Sequence, residues 1–281
     1  MRVTFWGTRG SIPTPGSHTV RYGGDTACVS LEDGPGLLIL DAGTGIRRLG
    51  DALAARPQHQ RIDLLLSHAH SDHIQGLPFF APLHDPKVKV RVFGPKPEAL
   101  SLREVLVRQM SAPVWPAQYA AVAARLEVTE VTADELRTDY FRIRAIPLCH
   151  PGRTFGYSIS GAAGGPSVNY MTDNELGNLA KAPDWQGALV GFLQGSEMLI
   201  HDATYGDDEI SSHAGWGHSS GSQAVDLALA AGVRKLMLFH HAPEHGDRDV
   251  DRVLAEARRR VAAGRGQLLV EAAAAGSSFD I

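Results

Sequence analysis

The segment RIDLLLSHAHSDHIQG, residues 61–76, gathers four metal-competent side chains, His68, His70, Asp72 and His73, into six residues. On a strand, Ile62, Leu64 and Leu66 share a face with His68 and His70, and two imidazoles leaving one face at a strand end can converge on a single ion. Asp72 and His73 follow where a turn gives way to a short helix, and that change of direction aims both at a second point nearby. Four such groups together have little structural use, so the spacing points to metal binding rather than to a polar loop. Taken singly, His150 in PLCHPGRTFGY reads as a polar strand terminus and Asp173 in NYMTDNE as a turn former. In LMLFHHAPEH, residues 236–245, strand parity groups His240 with Leu236 and Leu238, and His241 with Met237 and Phe239; parity does not choose between the two.

Side chains this far apart in sequence need a framework that returns strand ends to one place. Short β-branched or Leu-rich runs supply candidates: VTFWG, ACVSLE, LLILDAG, RIDLLLSH, KVKVRVFG, YFRIRAIPL, TFGYSIS, SVNYMTD, EMLIHDA, KLMLFHH and QLLVEA. Amphipathic helices are expected near 100–110, 222–231 and 249–262. In the last, Val250, Val253, Leu254, Ala257 and Val261 form one apolar stripe suited to packing on a sheet. Strands in a run and then alternating with helices imply a layered α/β protein with mixed sheets. The segment 110–122, MSAPVWPAQYAAV, breaks this rhythm and reads as a packed connector or a lid.

Composition sets further limits. With 281 residues, 43% hydrophobic and 21% charged, the chain can bury roughly three-quarters of its unfolded surface, and one domain over 1–281 is expected. A net charge of −4 gives no overall attraction to nucleic acid or anionic lipid, and the basic run at 258–260 reads as a solvated helix face. No apolar stretch suits a membrane span, the opening MRVTFWGTRG lacks the apolar core of a signal peptide, and a cytoplasmic location is expected. Cys28 and Cys149 are expected as buried thiols, not as a disulfide or metal pair.

The H-x-H-x-D-H segment, the opening GTRGSIP loop, the acidic turn LLILDAGTG and the later single residues at strand ends together resemble the metallo-β-lactamase superfamily over nearly the whole chain. The resemblance implies an αββα sandwich, two mixed β-sheets flanked by helices, with a dinuclear site at one edge. It implies that His68, His70 and His150 hold a first metal, that Asp72, His73 and His240 hold a second, and that Asp173 bridges them. Asp41, in LDAGTG, then braces the histidine loop. Imidazoles with a bridging carboxylate suit Zn²⁺, with Mn²⁺ or Fe²⁺ compatible. Two such ions can hold a bridging hydroxide for hydrolysis. Oxygen-reducing di-iron relatives carry glutamate where this chain has His70, which argues against redox work.

LIHDATY, with Asp202, and WGHSSGSQAV, with His218, resemble paired motifs of the phosphodiesterase branch, ribonuclease Z and its small-substrate relatives. There an acidic residue orients a histidine that protonates the leaving alkoxide, so His218, Asp202 and the metal ligand Asp72 form the implied catalytic set. A plainer alternative is that residues 217–219 cap the following helix, with Ser219 as N-cap. The chain departs from the ribonuclease pattern in two ways: HDAT has aspartate where that family has glutamate, and only 22 residues separate His150 from Asp173, where tRNA-processing members carry a long arm. The expected substrate is therefore a small phosphodiester (a cyclic nucleotide, short oligonucleotide or cyclic phosphate), not tRNA and not a membrane. A homodimer is expected from the resemblance alone. Arg9 and Arg21 are candidates for meeting phosphate, and Trp6, Trp115 and Trp216 for stacking on a base. His201, His213, His241 and His245 read as supporting or turn residues. Hydrolysis of a lactone or other acyl ester on the same metals is the alternative enzyme, and a non-catalytic metal-stabilised sensor the alternative from another class.

Overall fold

A computed structural model describes residues 1–56, 59–116, 118–132, 135–177, 183–264 and 267–281. Among these, fourteen strands run in chain order: β1 Arg2–Gly7, β2 Cys28–Asp33, β3 Gly36–Leu40, β4 Arg61–Leu65, β5 Lys89–Pro95, β6 Glu127–Val131, β7 Glu135–Arg137, β8 Phe141–Pro147, β9 Phe155–Gly161, β10 Val168–Met171, β11 Met198–Asp202, β12 Lys235–Phe239, β13 Leu269–Ala272 and β14 Ser278–Asp280. The α-helices are α1 Gly45–Ala55, α2 Ser71–Ile74, α3 Ala81–His84, α4 Leu102–Gln109, α5 Gln118–Ala124, α6 Pro183–Leu193, α7 Gly221–Ala230 and α8 Asp247–Ala263.

Two seven-stranded sheets result, ordered β14-β1-β2-β3-β4-β5-β6 and β13-β12-β11-β10-β9-β8-β7. In the first, pairing is antiparallel from β14 to β3 and parallel from β3 to β6. The second is antiparallel from β7 to β10 and parallel from β10 to β13. Each sheet is thus mixed in the same way, and the parallel halves place consecutive strand ends side by side.

The inner faces meet in a core that includes Phe5, Leu31, Leu40, Phe141, Tyr157, Tyr170 and Phe239. On the outer face of the first sheet, Ile46 and Leu49 of α1 and Leu102 and Leu106 of α4 pack with Ile39, Leu64 and Val92. On the other outer face, Leu189 of α6, Val225 of α7 and Val253 and Ala257 of α8 cover Leu199, Leu236 and Val270. This is the four-layer α/β/β/α arrangement expected. It follows from alternation: residues on successive strand positions must enter two different cores, so both sheet faces are apolar and both need cover.

Every strand expected from an apolar run is present. The strands β6, β7 and β14 are not predicted by such runs, because their exposed faces are polar and their sequences, such as EVTEV in β6, lack a continuous apolar signal. Segment 110–122 lies partly outside the described residues; within its described part Met110 is buried in the outer core and Trp115 packs on Phe79 and Tyr119, while Val114, between Met110 and Trp115, is exposed. Both cysteines are buried. Among the described residues no helix is long and apolar enough to cross a membrane.

Candidate metal centre

The histidine segment is shaped by Asp41. β4 ends at Leu65, and although Leu66 still donates its N–H to Phe93 O (2.7 Å), the next residue leaves the ladder. Asp41 Oδ1 accepts the N–H of Ser67 (2.7 Å) and Oδ2 accepts its hydroxyl (2.8 Å), turning the chain off the strand line. His68 and His70 therefore lie in a loop, not on one face of a strand as parity suggested, and their rings meet with centroids 4.4 Å apart. The same Asp41 Oδ2 accepts from His73 Nδ1 (2.8 Å) and from Tyr170 OH (2.8 Å), so one buried carboxylate ties the loop to α2 and to the second sheet. α2 carries Asp72 and His73, in keeping with the expected turn into a short helix.

The remaining groups arrive from carboxyl ends of strands: His150 after β8, Asp173 after β10, Asp202 at the end of β11 and His240 after β12. This is the edge at which open α/β sheets generally place their ligands. Asp173 stands between two sets of imidazoles. Its Oδ1 lies 3.7 Å from His150 Nε2 and 4.0 Å from His68 Nε2, and its Oδ2 lies 3.1 Å from His73 Nε2 and 3.3 Å from His240 Nε2. Asp72 Oδ2 is 3.2 Å from both His73 Nε2 and His240 Nε2. Ligand atoms of His68, His70 and His150 lie within 4.8 Å of one another, as do those of Asp72, His73 and His240. The first trio is the more open, with His70 exposed; the second is buried throughout.

These residues fit divalent ions on an observation independent of any resemblance. His68 Nε2 is buried and has no hydrogen-bond partner, the nearest carboxylate oxygen lying 4.0 Å away. A buried polar atom left unpaired costs about 1–3 kcal/mol, a cost that a bound cation removes. Burial, reinforced by the neighbouring His73, holds the His68 pKa well below the usual imidazole range, which keeps its nitrogen lone pair available. Burial alone would raise the Asp72 carboxyl, but His73 and His240 outweigh it and hold Asp72 well below the carboxylate range. Strain marks the same places: of the four described non-glycine residues with positive φ, Asp41 (58°), Asp173 (57°) and His240 (63°) belong to this cluster, and the fourth, Ser11 (63°), donates its N–H to Asp72 Oδ2 (2.7 Å). Backbones in that region persist only where surrounding contacts enforce them. Thr204 does so for His240, its hydroxyl bonding His240 O (2.8 Å) and lying 3.1 Å from Nδ1.

Beside the cluster, His218 Nδ1 donates to Asp202 Oδ2 at 2.7 Å, and the His218 ring stacks on that of His240 with centroids 5.1 Å apart. Asp202 is itself held by the N–H groups of Ser219 (3.0 Å) and Thr204 (3.1 Å) on Oδ1. Burial would lower the His218 pKa, but Asp202 overrides it and pushes the group up to about 9. The shorter aspartate thus reaches its histidine. The helix cap is Ser220, not Ser219: Ser220 accepts the N–H of Gln223, whose side chain accepts that of Ser220.

Both arginines that were candidates for meeting phosphate have partners within the protein. Arg9 is fully buried, donating to the carbonyls of Gly23, Ala242 and His245, so it secures the loop after His240 and does not meet solvent. Arg21 pairs with Asp251 and with Asp247 O. His201 bonds Asp202 O (2.7 Å) and faces Asn174, His241 bonds Ala273 O (2.9 Å), and His245 pairs with Glu209 (3.1 Å). Sequence reasoning missed Ser67, Tyr170, Thr204 and Glu175. Each is a common polar residue one or two positions from a motif residue, or far from it in sequence, and carries no spacing signal.

A family model described as the beta-lactamase superfamily domain matches residues 37–241. Among curated relatives, a ribonuclease Z of Natronomonas pharaonis is 25% identical, with 85% of this chain and 86% of that protein covered. Among solved structures, unliganded yeast PDE1 superposes with a TM-score of 0.74 at 15% identity, covering 100% of this chain and 99% of that one. A diphosphatase from the PhnP family superposes at 0.68 and 18% identity, covering 100% and 97%. With its histidine segment and most of its length inside the matched region, and with two mixed sheets flanked by helices, the chain belongs to the metallo-β-lactamase superfamily.

Proposed function

We propose that the chain is a single-domain dinuclear metal-dependent hydrolase that cleaves a small phosphodiester. His68, His70 and His150 would hold one ion, Asp72, His73 and His240 the other, with Asp173 between them. Zinc is favoured, because the donors are imidazoles and carboxylates with no thiolate in any of the described groups. Divalent ions held there supply positive charge at the phosphoryl oxygens and a lowered pKa for water. The observation that carries the reading is the placement of His218. Its Nδ1 is committed to Asp202, which fixes the ring and leaves Nε2 as the nitrogen that would give a proton to the departing oxygen, a role worth about 10²- to 10⁴-fold. An acyl hydrolase has less need of an acid at that place.

The connection between β9 and β10 supports the reading of a small substrate. Residues 162–167 join those strands as a short hairpin, with Val168 paired to Ile159, so no protruding arm stands there to grip a large RNA. A compact phosphodiester is the better fit than tRNA. Protein reloaded with Zn²⁺ or Mn²⁺ is expected to hydrolyse bis(p-nitrophenyl) phosphate and to stop when the metal is chelated. Full activity on acyl esters with no phosphodiester cleavage would sink the reading.

A further inference from the structure

Glu175, two residues after Asp173, is only 6% exposed, and its carboxylate accepts the N–H of Gly215 on Oε1 (2.8 Å) and of Gly217 on Oε2 (3.0 Å). The amide between them, that of Trp216, donates to His213 O (3.1 Å). Three consecutive amides of one surface turn are therefore fixed. Gly215 and Gly217 have φ of 85° and 86°, values that glycine adopts at no steric cost. At Gly217 a Cβ would also lie 2.1 Å from His150 Nδ1. That close approach lets Gly217 O accept from His150 Nδ1 (3.0 Å), so the turn is anchored to a residue of the metal cluster.

What this rigid turn presents is an indole. Of the three tryptophans considered for stacking, Trp6 donates to Ser30 Oγ (2.9 Å) and packs on the outer core, and Trp115 lies against Phe79 and Tyr119. Trp216 is 59% exposed. It sits two residues from His218, so the two Cα atoms are separated by at most about 7 Å. An aromatic surface joins them: Trp216 meets His213 edge-on (5.0 Å), His213 stacks on Tyr205 (3.9 Å), and Tyr205 meets His218 (6.1 Å). A large apolar ring held in water on a backbone without freedom is preorganised for a flat partner, since little entropy remains to be lost on contact.

We infer that the turn Gly215–Gly217 is a substrate subsite in which Trp216 stacks on an aromatic ring of the phosphodiester, with Glu175 as the positioning residue that fixes it. The inference rests on the phosphodiesterase reading and narrows it to substrates with an aromatic group near the scissile bond. The test uses metal-loaded protein hydrolysing bis(p-nitrophenyl) phosphate, with adenosine 5′-monophosphate and ribose 5-phosphate as competitive inhibitors. Removing one stacking ring spans about 5- to 150-fold in affinity, so the adenine-bearing inhibitor is expected to bind the wild type tighter by a factor in that range. In Trp216→Ala the ratio of the two inhibition constants falls toward one, and Trp216→Phe restores most of it. Glu175→Gln, which offers an acceptor to only one of the two amides, lowers the ratio while both metal equivalents are kept. A ratio near one in the wild type, or unchanged in Trp216→Ala, overturns the subsite; a ratio unchanged in Glu175→Gln overturns the clamp. Absence of any hydrolysis in the metal-loaded protein counts against the phosphodiesterase reading instead. Calorimetric titration of wild type and Trp216→Ala with the same two ligands then still decides the subsite.

Discussion

At the scale of single residues, the cluster separates side chains that look alike in sequence. His240 points Nε2 at Asp72 and Asp173, while His245 pairs with Glu209 on the surface side. His240→Ala is expected to lose one metal equivalent, and His245→Ala to lose none, as read by metal analysis of the purified variants. His218→Ala should keep both ions and slow phosphodiester turnover by about 10²- to 10⁴-fold. If metal is lost from that variant, His218 is a ligand and the assignment of an acid is wrong, an outcome worth checking because its ring lies against His240. Asp41→Ala removes the acceptor shared by Ser67, His73 and Tyr170. A lost hydrogen bond to a charged group contributes about 1.5–3 kcal/mol, so this variant should unfold at markedly lower denaturant concentration as well as bind metal poorly.

At the scale of elements, the site depends on turns that only certain residues can form. Gly217→Ala places a methyl 2.1 Å from His150 Nδ1 in a backbone with φ of 86°. His150 must then shift, and weaker metal binding with a lower kcat is expected; unchanged metal content and rate would show that the turn has room to move. The start of α7 is a separate matter. Ser220 and Gln223 form a capping box there, so Ser220→Ala should cost about 1 kcal/mol in urea unfolding with metal content unaltered. Loss of metal in that variant would mean that the helix start and the His218 turn are one mechanical unit.

At the scale of the whole molecule, two sheets supply one cluster: His68, His70, Asp72 and His73 come from the first, His150, Asp173, Asp202 and His240 from the second. Ions held there, as proposed, would tie the sheets together, since a ligand that binds only the folded state adds stability by mass action, about 4 kcal/mol at a thousandfold excess over Kd. The thermal midpoint is therefore expected to fall with a chelator and to rise again with added Zn²⁺ in a concentration-dependent way; an unmoved midpoint would count against an inter-sheet metal centre. Sequence alone determined much of this. Apolar runs are dictated by two-sided burial, so most strands were legible, and four metal-competent residues crowded into six positions left few other uses for 68–73. The resemblance already implied that Asp41 braces the histidine loop; the tertiary structure decided how His68 and His70 converge, because Asp41, just after β3, bends the chain at Ser67 and no local pattern in 61–76 records it. The tertiary structure alone chose a role for Arg9, whose acceptors at Ala242 and His245 lie more than two hundred residues away, and revealed Glu175, Thr204 and Tyr170. Local periodicity records which face of an element is buried; it carries no information about which distant polar groups meet once the elements are packed.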